Sequence, residues 1–149
     1  MQVTREYNVD VVGTPRARRG GFTLVELMVS LTVVAILAAV AYPAYQDHMR
    51  KGRRAAAQAF IVDTASRQQQ YLLDARRYAV GTGAIAALSL TVPSDVAPFY
   101  TVEVTPAVAT VPPSYQIVAT PIAASAQAPD GALTMDQEGA RTRGGNPGW

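Results

Sequence analysis

The 149-residue sequence contains no cysteine, which excludes a disulfide framework, a thiolate metal site and a cysteine nucleophile. Histidine is nearly absent too. His48 stands alone, next to Asp47 in a polar segment where an imidazole is ordinarily solvated. No glycine-rich phosphate loop, paired metal ligands or nucleophile motif is present, so the chain reads as no enzyme, with no metal and no cofactor. Excess charge is also missing once it is located. Residues 1–21 carry Arg5, Arg16, Arg18 and Arg19 against Glu6 and Asp10, which accounts for the whole formal charge of +2. The nine basic and nine acidic side chains of the remainder cancel, so bulk charge gives little reason to expect nucleic-acid binding.

What is present is a long apolar run. From Phe22 to Tyr45 the only charged side chain is Glu26. As a helix these residues would extend roughly 36 Å, enough to cross a hydrocarbon core of about 30 Å. Arg16, Arg18 and Arg19 lie on one side, but Arg50, Lys51, Arg53 and Arg54 lie on the other, so flanking charge alone leaves the orientation open. A secretory signal peptide has a shorter apolar core followed by a small-residue cleavage site. A plain signal anchor with Glu26 snorkelling near the helix end is the other simple reading. A carboxylate in a membrane-length run is costly and points to function.

The string Arg16-Ala-Arg-Arg-Gly-Gly-Phe-Thr-Leu-Val-Glu-Leu, leading into that run, resembles the class III leader and assembly signal of type IV pilin precursors. The resemblance implies cleavage by a prepilin peptidase between Gly21 and Phe22, followed by N-methylation of Phe22. It sets the N-terminus in the cytoplasm and implies that Glu26 meets the terminal amine of an adjacent subunit during assembly. An unpaired charge in hydrocarbon would be relieved by that pairing. Pro43 lacks an amide hydrogen and crowds the preceding turn, so a kink or a melted turn is expected near residues 39–43. Many family members also have a glycine eight residues earlier, where this chain has Ala35, so any melting is less extensive here.

Beyond the run, Ala55, Ala59, Val62, Ser66, Gln69 and Leu73, broadened by Ala65 and Leu72, recur at helical spacing. The spacing predicts a helix to about Asp74, with residues 75–98 as the connection to a sheet. Tyr100, Val102 and Val104, then Tyr115, Ile117 and Ala119, then Leu133 and Met135, alternate as half-buried antiparallel strands. The expected fold is α+β: a long N-terminal membrane and assembly helix packed on three or four antiparallel strands. The divisions are a leader at 1–21, a membrane and assembly segment at 22–45, and a periplasmic or extracellular globular domain at 46–149.

Tyr42-Pro-Ala-Tyr-Gln-Asp-His-Met-Arg, Arg53-Arg-Ala-Ala-Ala-Gln-Ala, Gln69-Gln-Tyr-Leu and Ala132-Leu-Thr-Met-Asp resemble the PilE-like pilins, a subset that includes the competence DNA-receptor pilin. Members usually place cysteines where this chain has Asp130 and Gly148. Both are missing together, as expected if they normally pair, so the C-terminal loop lacks a staple worth roughly 2–4 kcal/mol. Trp149 is left to anchor that end by burial. The resemblance implies a structural, minor subunit of a type IV pilus serving adhesion and twitching. It would sit in the inner membrane first and then in the surface filament. Its partners would be other pilin subunits, the prepilin peptidase and the assembly machinery.

Two alternatives stay open. One is a pseudopilin of a type II secretion system, which the leader and helix do not separate from a pilus subunit. The other is a DNA receptor, with Arg76, Arg77, Arg141 and Arg143 as phosphate-contacting candidates near aromatic side chains. The cluster at residues 50–54 reads instead as contacts to lipid headgroups or neighbouring subunits.

Overall fold

The computed structural model describes residues 21–106 and 113–149. The chain divides into two compact units, Met1–Ala39 and Val40–Trp149. Helix α1, Leu24–Ala75, is 52 residues long and contains Pro43. In the first unit its side chains are exposed throughout. Among the described residues it is the one helix long and apolar enough to cross a membrane. The expected melted turn is not found, because residues 39–43 are helical. A single proline removes one ladder bond, and the flanking alanines and valines keep the rest.

In the second unit the buried face of α1 is Ala57, Phe60, Ile61, Thr64, Ala65 and Gln68. This corrects the stripe expected from sequence. Ala55, Ala59, Val62, Ser66, Gln69 and Leu73 are exposed, with Leu73 at 82%. Two residues of offset turn a helix by about 200°, so the true face is nearly opposite. It wins because Phe60 and Ile61 offer more apolar area than any pair on the other side. Its polar members are also satisfied, since the Thr64 hydroxyl donates to the Phe60 carbonyl at 2.8 Å.

The sheet has five strands in the order β1-β2-β3-β4-β5, each antiparallel to its neighbour. They are Tyr100–Pro106, Tyr115–Pro121, Leu133–Asp136, Arg141–Arg143 and Asn146–Pro147. The α+β class is as expected, and the two short C-terminal strands extend the meander beyond the anticipated three or four. The period-two pattern also holds. Tyr100, Val102, Val104, Tyr115, Ile117, Ala119 and Leu133 are buried in one core with α1. Residues 75–98 are not all loop, because a one-turn helix, α2, forms at Ala84–Ala87 and its neighbour Leu88 joins that core.

The C-terminal segment has a defined conformation without a disulfide. Asp136 Oδ1 accepts the amides of Glu138 and Ala140 at 3.0 and 2.9 Å, shaping the β3–β4 turn. Trp149 is half-buried, donates its indole N–H to the Thr134 carbonyl at 3.1 Å and carries Arg141 over its ring at 4.6 Å. Gly131 and Gly144 meet so closely that a Cβ on Gly131 would lie 2.9 Å from the Gly144 Cα.

Candidate functional site

The N-terminal signal is built around the start of α1. Gly21, Phe22 and Thr23 are non-helical and exposed, and the helix begins at Leu24. Thr23 Oγ1 accepts the Glu26 amide at 3.2 Å. Threonine before the helix with glutamate three residues on is the capping-box arrangement, which satisfies amides that the first turn leaves free. Thr23 therefore fixes where the helix starts, and the Gly21–Phe22 bond stays in exposed, non-helical backbone. Glu26 is exposed in the first turn, where the positive end of the helix dipole favours a carboxylate. The cap at Thr23 is signalled in the sequence only by its three-residue spacing to Glu26.

The four arginines proposed for DNA separate into two places. Arg76 closes α1 in the left-handed region at φ 53, its amide donating to the Leu72 carbonyl at 2.9 Å. Arg77 lines an open cleft of about 510 Å³ with Tyr71 and Tyr78, against Pro106 at the end of β1 and Pro113 two residues ahead of β2. Arg141 and Arg143 sit on β4, the fourth strand in the order. At about 4.8 Å per strand, β4 lies roughly 14 Å across the sheet from β1. Arg141 is also engaged with Trp149. The structure thus joins Arg77 to two aromatic rings and leaves the β4 pair apart.

The cleft is positioned by a residue that sequence reading passed over. Gln68 is fully buried, and its amide group exchanges two hydrogen bonds with the Ala79 backbone, Nε2 to O at 2.5 Å and N to Oε1 at 2.9 Å. This mimics a strand bridge and clamps the chain after Tyr78 onto α1. Tyr78 in turn meets Tyr115 edge-on, with centroids 4.6 Å apart.

A second buried polar cluster lies around Asp130. Its side chain is 2% exposed. It takes Arg54 Nε at 2.8 Å, the Tyr100 hydroxyl at 2.6 Å and Gln127 Nε2 at 3.1 Å, with Arg54 Nη2 completing a two-point ion pair. Burial pushes the carboxyl pKa up, but the bonds from Arg54, Tyr100 and Gln127 outweigh it and hold it below the ordinary value. Burial and the Asp130 hydrogen bond raise the Tyr100 phenol well above its usual range. Among the described residues no group of three or more His, Cys, Asp or Glu could hold a metal ion.

A capped, apolar N-terminal helix behind a glycine, continuing into an antiparallel meander, defines the class: this is a type IV pilin. The family described as type IV minor pilin ComP, DNA uptake sequence receptor, matches residues 43–134, more than half of the chain, and the chain belongs to it. Residues 16–42 match the prokaryotic N-terminal methylation motif. Among similar proteins, fimbrial protein EcpB of Eikenella corrodens is 53% identical over 36 residues, 24% of this chain and 23% of that protein. The type IV major pilin protein PilE of Neisseria gonorrhoeae is 58% identical over 33 residues, 22% of this chain and 20% of that one. The type IV major alpha-pilin of Moraxella bovis is 54% identical over 33 residues, 22% and 21%. The matched stretch thus spans about a fifth of each relative's length.

Proposed function

We propose that the chain is a minor structural subunit of a type IV pilus, active in assembly rather than in turnover. In this reading residues 1–21 are a leader, 22–45 anchor the subunit in the inner membrane with its N-terminus cytoplasmic, and 46–149 form the exterior domain. The observation that carries it is the cut site itself. Gly21–Phe22 lies in exposed, non-helical backbone directly ahead of a Thr23-capped helix, so a peptidase reaches the bond without unwinding the helix. The new amine at Phe22 then lies close to Glu26, and docking of a second subunit relieves both charges. Prepilin peptidase, other pilins and the assembly machinery are the partners this requires. Mass spectrometry of sheared filaments tests the reading. The chain should be present and begin with methylated Phe22, and its absence from filaments would refute the assignment.

The cleft at Arg77 favours a second activity, binding of DNA, in line with the receptor function in the family's description. Arg77 supplies a phosphate contact, while Tyr71 and Tyr78 offer ring faces within the same 510 Å³ space. Duplex binding measured against salt should show a linear loss of log affinity, with slope about 0.9 per neutralised phosphate. Arg77→Ala should lower that slope by about 1. A slope left unchanged by this substitution would remove the cleft from the DNA site.

A further inference from the structure

The first exterior turns of α1 carry charges for which the assembly reading has no task. We propose that the cleft between this part of α1 and the Pro129–Asp130 corner binds the phosphate of an anionic phospholipid headgroup. The inference rests on residues 22–45 being the membrane segment.

Asp47, Arg50, Lys51 and Arg54 follow i, i+3, i+4, i+7 spacing and so share one helix face. With Pro129 and Asp130 they line a cleft of about 270 Å³. Both carboxylates are already engaged. Asp47 pairs with Arg50, and Asp130 takes Arg54, Tyr100 and Gln127. Lys51 is exposed and makes no ion pair among the described residues. Three cations against two carboxylates leave the lining at a formal +1. A phosphodiester oxygen is the acceptor that the Lys51 ammonium and the outer N–H groups of Arg50 lack. The far wall is fixed in advance, because fully buried Gln127 donates to the Arg50 carbonyl and to Asp130, each at 3.1 Å.

The depth also fits. Tyr42 and Tyr45 are 67% and 62% exposed at the end of the apolar run, the side-chain type that marks a membrane–water boundary. Lys51 lies six residues beyond Tyr45, roughly 9 Å along the axis. A headgroup layer is about 5–7 Å thick on each side of the hydrocarbon. Long side chains on a helix lean toward its N-terminus, and lysine reaches back to polar headgroups. The Lys51 ammonium therefore returns to the phosphate plane. Arg53, on the adjoining face, stacks over Phe99 at 4.1 Å and adds a further positive charge to the same level.

The test uses the full-length chain in nanodiscs of phosphatidylcholine with a minority of phosphatidylglycerol, and native mass spectrometry counts the retained lipids. Phosphatidylglycerol should be retained preferentially. Arg50→Gln and Lys51→Gln should each lower that preference roughly five-fold, while Arg67→Gln leaves it intact. Circular dichroism of the same variants should be unchanged, because both side chains lie outside the core. Entry into discs without lipid preference, or a preference that the double variant retains, overturns the inference alone. A chain that does not enter discs overturns the membrane reading and this inference with it. Inorganic phosphate added to the discs separates the two sources of phosphate. Unchanged retention supports the lipid, and displacement of phosphatidylglycerol overturns it in favour of a soluble anion.

Discussion

Arg54 on α1 grips Asp130, 76 positions further along the chain, through two guanidinium nitrogens, with Nε to Oδ2 at 2.8 Å. Asp130 is the centre of a polar hub, which ties the segment ahead of β3 to α1 without a disulfide. Such a hub is vulnerable to loss of one member. Asp130→Ala removes the acceptor for three donors. Breaking a buried pair costs about 3–5 kcal/mol, and the low end applies here because Arg54 can reach water. Urea unfolding should show an unfolding free energy lowered by that amount, read as a lower midpoint with little change in slope. A loss below about 1 kcal/mol, the scale of an exposed pair, would show that the hub contributes no more than a surface contact.

The same hub sets the pH limits of stability. The Asp130 carboxyl is held below its ordinary value in the fold. Its contribution is therefore complete above about pH 4, the unfolded value, and falls away as pH drops through the lower folded value. Tyr100 is shifted the other way, so its contribution is complete below about pH 10 and lost as pH rises toward the raised folded value. Thermal melts across pH should form a plateau between these limits. Asp130→Asn should flatten the acid limb, and an acid limb identical to that of the unmodified chain would assign the acid loss to other carboxylates.

Gln68→Leu keeps roughly the volume of the side chain but leaves the Ala79 amide and carbonyl without their partners. Orphaned buried groups cost about 1–3 kcal/mol each. The expected result is a destabilisation of about 2–6 kcal/mol and faster hydrogen exchange at Ala79. Exchange at Ala79 as slow as in the unmodified chain would mean that Gln68 does not clamp that segment.

The strands were legible because alternation of Tyr, Val and Ile maps directly onto one buried face. Residues such as Tyr115, Ile117 and Ala119 have no competing interpretation. The exterior half of α1 was not legible in this way. Its true face includes Thr64 and Gln68, whose polarity argues against burial until their partners are known, and those partners are the Phe60 carbonyl and the Ala79 backbone. The Ala79 contact, in particular, depends on the path of the chain after Tyr78. Asp130 failed to stand out for a similar reason. Its donors come from positions 54, 100 and 127, and no spacing rule joins them. The N-terminal methylation motif at residues 16–42, by contrast, is local in sequence and was legible there, while the cap at Thr23 was not.

Gly131→Ala tests the approach of the C-terminal hairpin. Gly131 has φ 77, and a Cβ there would lie 2.9 Å from the Gly144 Cα, a backbone atom that cannot rotate away. With ψ 157 the backbone lies in a region essentially confined to glycine, which costs another residue roughly 1–3 kcal/mol, and the contact adds to it. Alanine at 131 should destabilise the fold by more than that and weaken the anchoring of Trp149, seen as a red shift in its fluorescence. Unchanged stability and emission would show that the two segments can separate freely.

The docking role proposed for Glu26 is separable from its place in the capped first turn, and a pair of substitutions tests it. Its backbone amide donates to Thr23 Oγ1 at 3.2 Å, a bond that any non-proline residue at 26 keeps. Its charge matters only if a subunit amine must be met. Glu26→Gln should therefore be cleaved after Gly21, because the bond lies outside the helix and its cap survives. The variant should nevertheless fail to enter filaments. Glu26→Ala keeps the backbone amide that Thr23 caps, so it should also be cleaved, and it should fail to enter filaments for want of the charge. The measurement is the ratio of processed chain in membranes to chain in sheared filaments. Normal incorporation of either variant would sink the docking role. Loss of cleavage in the glutamine variant would mean that the peptidase reads the carboxylate itself.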